Sequence, residues 1–225
     1  MIYVAIVSFV LYNLGNALLL EKCLVYAERD GVRFWRSPIN WTRYAVLTVI
    51  ALGLWLMLTL NVHDLWQFSL LCLMFDVLLL IAAFDLCMNR IYRLFLYIFC
   101  GLSVLLFLRV GRFLMKYSVL GLLAAFLLAA VARVLLEQRR GHPVLYMPDL
   151  FFVAAMGLAL DVRRLFTAVL IAAVGFPLLR WVLRRVPGYN DTHVYPLTVV
   201  PAAAFTIAML YGDAVGRFCL PFLYD

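Results

Sequence analysis

Long apolar runs separated by short polar segments follow one another along the chain, from Ile2 to Leu223. A helix needs ~20 mostly apolar residues to cross a bilayer, because each residue rises ~1.5 Å through a hydrocarbon core ~30 Å thick. Backbone groups in lipid must be hydrogen-bonded within the run, so the runs are expected to be helical. In an outer-membrane barrel, apolar and polar residues alternate along each strand. This sequence lacks that alternation. The pattern predicts an all-α, polytopic membrane helix bundle of six to eight transmembrane helices.

The boundaries of these runs predict where the helices cross the membrane. We place eight candidate spans at 2–20, 42–60, 66–84, 92–108, 117–136, 149–160, 164–182 and 195–211. The sixth is short, and Asp161, Arg163 and Arg164 separate it from the seventh. These two could instead form one broken or tilted element, which would leave seven spans. No linker, low-complexity tract or convincing repeat interrupts the pattern, so 1–225 is expected to be a single integral membrane domain.

The composition supports this class of protein. Of the 225 residues, 67% are apolar and 14% are charged, compared with about half and about a quarter in a soluble domain. The net charge of +7 comes from basic residues grouped between the apolar runs. That grouping is how membrane topology is encoded, so we expect a lipid bilayer and no nucleic acid as partner. The first run has neither a basic start nor a small-residue cleavage site, and we expect it to remain as a helix.

The basic residues also predict an orientation. If the N-terminus lies outside, thirteen Lys and Arg residues fall on the inner side and six on the outer side. Cytoplasmic loops tend to be the more basic ones. The cytoplasmic loops are then 21–41, 85–91, 137–148 and 183–194. The cluster of Arg109, Arg112 and Lys116 on the outer side is the main exception.

Few carboxylates lie within or beside the apolar runs, where a charge is costly and suggests a functional site. Asp76 lies in the middle of a span, in LCLMFDVLLL, and must be protonated or paired with another helix. Asp85 ends the same apolar run, and Asp149 opens a later one. Asp161 lies in a turn beside two arginines, where a local ion pair would suffice. The others fall in predicted loops or tails, as solvated charges: Glu21, Glu28, Asp30, Asp64, Glu137, Asp191, Asp213 and Asp225.

Asp85 and Asp149 are predicted to lie at the same membrane boundary on different helices. Two carboxyls held close together cannot readily both ionise, so they share one proton. The ionised one can then accept a proton from water while the protonated one polarises a carbonyl, as in aspartic proteases. The alternative is that both serve as helix caps, since an aspartate after Pro148 suits a helix start.

Around these residues the chain resembles the type IV prepilin leader peptidases, membrane aspartyl proteases with a G-x-G-D motif. In that family an apolar helix ends in an aspartate, and Asp85 followed by Ile91 matches this pattern. A second aspartate opens a helix with small residues and a glycine, as Asp149 and Gly157 do here. Pro196 occupies the place of a proline before the last helix. The resemblance covers nearly the whole chain.

The chain departs from the family pattern at several positions. Tyr146 and Pro148 replace the glycines before the second aspartate, and Phe151 replaces the lysine that follows it. Glycines there would let a substrate approach the backbone, and proline removes a donor. The cysteine-rich zinc loop of many members is also missing, since only Cys23 occurs in 21–41. These differences fit either a divergent peptidase or a relative that has lost catalysis.

The resemblance implies an aspartyl endopeptidase of the bacterial inner membrane, with Asp85 and Asp149 as catalytic residues facing the cytoplasm. It implies prepilin or pseudopilin-like protein substrates, each with a short basic leader followed by an apolar helix. One alternative is a degenerate, non-enzymatic component of pilus or secretion assembly. Another is a small proton-coupled carrier, for which Asp76 is the best argument. We expect no metal and no cofactor, because His63, His142 and His193 lack metal-ligand spacing.

Overall fold

The structure is a computed structural model of the 225-residue chain. It describes residues 39–62, 64–88, 91–109, 112–141, 145–185 and 198–219, and eight positions between Tyr3 and Gly15. Those eight positions are helical. The helices after them are α1 Ile39–Asn61, α2 Leu65–Met88, α3 Arg93–Arg109, α4 Arg112–Arg140, α5 Met147–Leu183 and α6 Val199–Cys219. The described part of the chain contains no strand, so the prediction of an all-α bundle is confirmed.

Three helices have stretches that are long and apolar enough to cross a membrane. They are Leu65–Asp85, Met115–Arg139 and Met147–Val182, and 48–61 and 199–215 are shorter apolar stretches. Many large apolar side chains on the outside of the bundle are exposed, including Leu60, Leu108, Leu127 and Val174. A soluble monomer rarely exposes so much contiguous apolar surface, whereas lipid would cover it.

α5 is two helical arms, 147–160 and 162–183, joined at Asp161. Asp161 has φ 65° and ψ 170°, outside the helical region, and aspartate tolerates positive φ better than most residues. Its Oδ1 accepts hydrogen bonds from the backbone N–H groups of Arg163 at 2.8 Å and Arg164 at 3.2 Å. These are the bonds of an N-cap, so a new helix begins after Asp161.

Contacts with α6 show that the chain reverses at this point. Arg164, at the start of the second arm, binds Asp213 near the end of α6. Gly175, farther along the arm, lies against Val200 at the beginning of α6. The second arm is therefore antiparallel to α6. An unbroken Met147–Val182 helix would be about 54 Å long, far more than one bilayer core needs. The region is one element broken at Asp161 into two arms. This agrees with the predicted division between the sixth and seventh spans and with the alternative of a broken element, but not with a single tilted helix.

The helices share two ends. At the lower end α2 ends and α3, α5 and α6 begin. The upper end contains the last residues of α1 and α3, the first residues of α2 and the reversal of α5. There the Arg109 side chain at the end of α3 lies 3.6 Å from the Asp64 carboxylate. The predicted inner basic groups that are described, such as Arg139 and Arg180, belong to the lower end, whereas Lys116 and Arg163 belong to the upper end. The described helices therefore alternate between the two ends in the order that the predicted spans require. The loops 21–38 and 186–194 lie outside the described residues.

A chain of aromatic contacts joins four helices in the core. Phe75 of α2 packs against Phe205 of α6 with ring centroids 6.4 Å apart, and Phe205 packs against Phe99 of α3 at 5.8 Å. Phe99 in turn contacts Phe152 of the first arm of α5 at 5.3 Å. All four side chains are fully buried. These contacts fix α2, α3, α5 and α6 around one centre in the core.

α4 packs against the first arm of α5 through small residues. Gly121 and Gly157 face each other so closely that a Cβ on either would collide with the backbone oxygen of the other. A Cβ on Gly157 would also come within 2.5 Å of the Ala125 Cβ. Small residues spaced in this way let membrane helices approach backbone to backbone. Gly157, which matches the family glycine, therefore has a packing role here.

Two predicted loop residues lie within helices instead. Glu137 is on the last turn of α4 and lies 3.8 Å from Arg133. Asp213 is on α6, which extends eight residues beyond the predicted span end at 211. Both errors have one cause: a helix can continue past its apolar run when charges can pair along or between helices.

Candidate functional site

Four helix ends meet at the lower end of the bundle. α2 ends there at Met88, and α3, α5 and α6 begin there at Arg93, Met147 and Val199. The first N–H groups of a helix have no intrahelical acceptor and carry a partial positive charge. Three helix starts therefore make this end favourable for carboxylates. In the described part of the chain, Asp85 and Asp149 are the carboxylates that lie on these four helix ends.

Asp85 lies on the last turn of α2 and caps the start of a different helix. Its side chain is buried, with 4% of the residue exposed. Oδ2 accepts the backbone N–H of Thr198 at 2.8 Å and the Thr198 hydroxyl at 2.7 Å. Thr198 immediately precedes α6 and is itself 2% exposed. Its carbonyl accepts the N–H of Ala202, the first bond of that helix. Asp85 thus ties the end of α2 to the start of α6.

Asp149 caps its own helix. It is the third residue of α5, and its Oδ2 accepts the backbone N–H of Tyr146 at 2.7 Å. In return the Tyr146 carbonyl accepts the Asp149 N–H at 3.0 Å. Pro148 sits in the first turn, where its missing N–H costs nothing. The prediction that Asp149 suits a helix start is confirmed.

The two carboxyls are close enough for the charge of Asp85 to act on Asp149. Among the described residues, neither forms an ion pair with Lys or Arg. The hydrogen bonds described for both fall on Oδ2, so the capping contacts hold one oxygen of each. Asp85 is buried and Asp149 half-buried, and two neighbouring carboxyls that are removed from water resist being ionised together. Such a pair can give and accept protons in general acid–base chemistry.

A cavity of about 220 Å³ lies beside the pair, between the starts of α3 and α5. It is lined by Arg93, Leu96, Tyr97, Met147, Pro148 and Phe151. Asp85 and Asp149 are not among these residues, so the cavity adjoins the pair and does not contain it. Pro148 and Phe151 form part of its wall, so the residues on either side of Asp149 shape the space next to the carboxyls.

Aromatic rings lie beside Asp85 at the junction of α2 and α3. The ring of Tyr92 lies 5.5 Å from that of Phe84 and 5.4 Å from that of Phe95. Such packed pairs hold a connection in place beyond simple area burial. They stabilise the turn from α2 to α3, which carries Asp85 at one end and Arg93 at the other.

Asp76 is buried on α2 but is not part of the pair. It is 4% exposed and lies about 13 Å from Asp85 along the helix axis, at 1.5 Å per residue. The three histidines at 63, 142 and 193, and the proline stretch 194–196, lie outside the described residues.

Thr198 is the residue at the site that the sequence interpretation missed. The last span was placed from 195, which put Thr198 inside a helix. A threonine directly before an apolar run is a helix-start signal, and that signal was available in the sequence. Nothing in the sequence indicated that its hydroxyl bonds to Asp85, 113 positions earlier.

Known protein families, curated proteins and solved structures were all compared with this chain, and none matches it.

Proposed function

We propose that the protein is a membrane aspartyl endopeptidase that cleaves leader peptides from prepilin-like substrates. The proposed location is the bacterial inner membrane, with the lower end of the bundle facing the cytoplasm. The observation that carries the proposal is the meeting of buried Asp85 and half-buried Asp149 from two helix ends, with no Lys or Arg counter-ion among the described residues. Two carboxyls removed from water in this way without a counter-ion are costly to maintain, and such cost is typical of functional sites.

The chemistry of the pair is hydrolysis of a peptide bond. The ionised carboxyl takes a proton from a water molecule, whose oxygen attacks the scissile carbonyl carbon. The protonated carboxyl donates a hydrogen bond to the carbonyl oxygen and stabilises the developing negative charge. When the C–N bond breaks, the leaving nitrogen accepts a proton, and the products are a carboxyl terminus and an amine. The pair ends with one proton, as it began.

The surroundings of the pair suit a substrate that is itself a membrane helix. The adjoining cavity is walled mainly by apolar side chains, with Arg93 at the start of α3. Phe151, which lines the cavity, and Leu94, next to the lining residue Arg93, are exposed apolar residues. An apolar substrate helix could therefore reach the pair sideways from lipid, without exposing its apolar surface to water.

The direct test is cleavage by the purified protein. The protein in lipid nanodiscs is incubated with each prepilin-like protein of its source organism, and the products are read by mass spectrometry. We expect one cut between the basic leader and the apolar helix. Failure to cut any of these substrates, with the protein shown to be folded, would contradict the proposal.

A second candidate is a non-catalytic component of pilus or secretion assembly. It is favoured by one observation: each of Asp85 and Asp149 accepts a backbone N–H at the start of a helix. Capping alone would then explain why both aspartates are where they are. In that case the purified protein would cut no prepilin, yet cells without it would fail to assemble the pilus or secretion system. Asp85→Asn and Asp149→Asn would leave that assembly intact.

The carrier alternative requires a polar path through the bundle at Asp76. The buried residues one turn away on the same helix, Cys72 and Leu80, are apolar. A carrier would show proton flux in proteoliposomes that Asp76→Asn abolishes.

Orientation has its own test. A cysteine introduced into 137–148 should react with a membrane-impermeant thiol reagent only after the membrane is opened. Labelling in intact cells would place the lower end outside.

A further inference from the structure

We infer that Thr198 is a positioning residue for the proposed peptidase, holding the Asp85 carboxyl in the orientation that the reaction needs. This inference rests on the proposed function. Thr198 would not touch the substrate; it would act through Asp85. Two donors from one residue, the backbone N–H and the hydroxyl, converge on a single carboxylate oxygen at 2.8 and 2.7 Å.

Two hydrogen bonds on Oδ2 restrict rotation of the carboxyl group. With Oδ2 held by Thr198, Oδ1 is the oxygen left for proton transfer. Charge-assisted hydrogen bonds of this length are the stronger kind. The donor is itself fixed, because Thr198 is buried and its carbonyl accepts the first hydrogen bond of α6. Positioning of this kind is how a site keeps a reacting group within the narrow geometry that catalysis requires.

Thr198 directly precedes α6, a position where a threonine hydroxyl usually accepts a hydrogen bond from the N–H two or three residues later. A hydroxyl has one donor hydrogen as well as two acceptor sites, and capping uses only an acceptor site. In Thr198 the hydrogen is donated to a carboxylate on another helix. That bond does not cap α6 itself, so it serves the link to Asp85.

The test compares three variants in the cleavage assay with a prepilin of the source organism. Thr198→Val removes the hydroxyl donor and keeps the backbone N–H and the branched shape. We expect it to lower kcat about tenfold or more, with KM nearly unchanged, because substrate contacts remain. Thr198→Ser should restore most of the rate. Thr206→Val is the matched control on the same helix, since that hydroxyl bonds only to the Ala202 carbonyl within α6.

If Thr198→Val has the same kcat as wild type, the inference is wrong but the peptidase proposal stands. The same holds if Thr206→Val loses as much kcat as Thr198→Val. If wild type itself cuts nothing, the proposed function fails separately. The contact can still be tested then by a double-mutant cycle with Asp85→Ala, measured as unfolding in detergent. We expect Thr198→Val to shift the unfolding equilibrium several-fold in wild type and much less in Asp85→Ala. Equal shifts in both backgrounds would overturn the positioning contact itself.

Discussion

The lower and upper ends of the bundle both place an aspartate at a helix start, but they differ in the charges around it. At the upper end Asp161 caps the second arm of α5, and Asp213 nearby binds Arg164 at two points. The Arg164 Nε lies 3.2 Å from Oδ1 of Asp213, and Nη2 lies 2.6 Å from Oδ2. At the lower end the charge of Asp85 acts on Asp149, and among the described residues neither forms an ion pair with Lys or Arg.

The exposure of the aspartates widens this difference. The Asp213 side chain is 55% exposed although it has a partner, whereas Asp85 is 4% exposed. Burying a carboxylate without an opposite charge is expensive, and hydrogen bonds offset only part of that cost. Capping explains the position of an aspartate at either end. At the upper end the charge of Asp213 also acts on Asp161, but Arg164 lies beside both carboxyls. At the lower end no ion pair with Lys or Arg is described for either carboxyl, and that is why we locate the function there.

The largest expected effect is the loss of cleavage when either lower-end carboxyl is replaced. Asp85→Asn or Asp149→Asn keeps the shape and the capping oxygen but cannot share or shuttle a proton. We expect each to reduce cleavage by at least about 10³-fold, with folding nearly intact. Asp213→Asn at the upper end is the control and should cleave at close to the wild-type rate. If both Asp85→Asn and Asp149→Asn still cleave the substrate, the proposed mechanism is wrong.

A second effect concerns stability at the upper end. Gly157→Ala should destabilise the bundle by about 1–3 kcal/mol, because its Cβ would collide with the Gly121 oxygen and with Ala125. Gly101→Ala is the matched control: a Cβ there meets nothing within 4 Å, and alanine favours a helix by up to about 1 kcal/mol. Thermal unfolding in detergent measures both. Equal behaviour of the two variants would refute the close packing of α4 and α5.

A smaller effect is expected from the upper-end ion pair. Asp213→Asn should lower the free energy of unfolding by about 1 kcal/mol or less, since both partners are partly exposed. Added salt should narrow the gap to wild type, because it screens exposed charges. Asp64→Asn is the comparison, since its 3.6 Å contact with Arg109 joins two half-exposed side chains. If Asp64→Asn lowers the free energy of unfolding as much as Asp213→Asn does, the two hydrogen bonds between Arg164 and Asp213 add no stability over a single contact.

The smallest effect should come from Asp76→Asn. Asp76 is buried on α2 at a different depth from the pair, and the amide preserves its shape. We expect cleavage to remain within a few-fold of wild type. A loss comparable to that of Asp85→Asn would move Asp76 into the reaction and weaken the contrast drawn above.

The sequence was sufficient to predict the helices because hydrophobic runs report directly on what must lie in lipid. The sequence also predicted that Asp85 and Asp149 lie at the same end of the bundle. Two helices separate them, and after two crossings the chain returns to the end from which it started. The reversal at Asp161 was less certain from sequence, because charged residues can mark either a turn or a kinked helix. The structure establishes the reversal through the N-cap hydrogen bond of Asp161 and through the contacts of Arg164 and Gly175 with α6.

The contacts between distant helices could not be read from the chain. Asp85 and Thr198 are 113 positions apart, and Arg164 and Asp213 are 49 apart. Each pair depends on how the helices rotate about their axes, which small residues such as Gly121 and Gly157 help to set. Apolar periodicity carries little of that information when a helix is apolar on every side.

The central claim is that Asp85 and Asp149 act together on one peptide bond, and one binding measurement tests it most directly. A substrate peptide is made with the scissile amide replaced by a tetrahedral carbon bearing a hydroxyl, which mimics the intermediate of hydrolysis. Such mimics bind at least about 100-fold more tightly than substrates when a site is built for that intermediate. We predict this advantage in the wild-type protein and its loss in both Asp85→Asn and Asp149→Asn. Equal affinity for the mimic in wild type and both variants would contradict the claim.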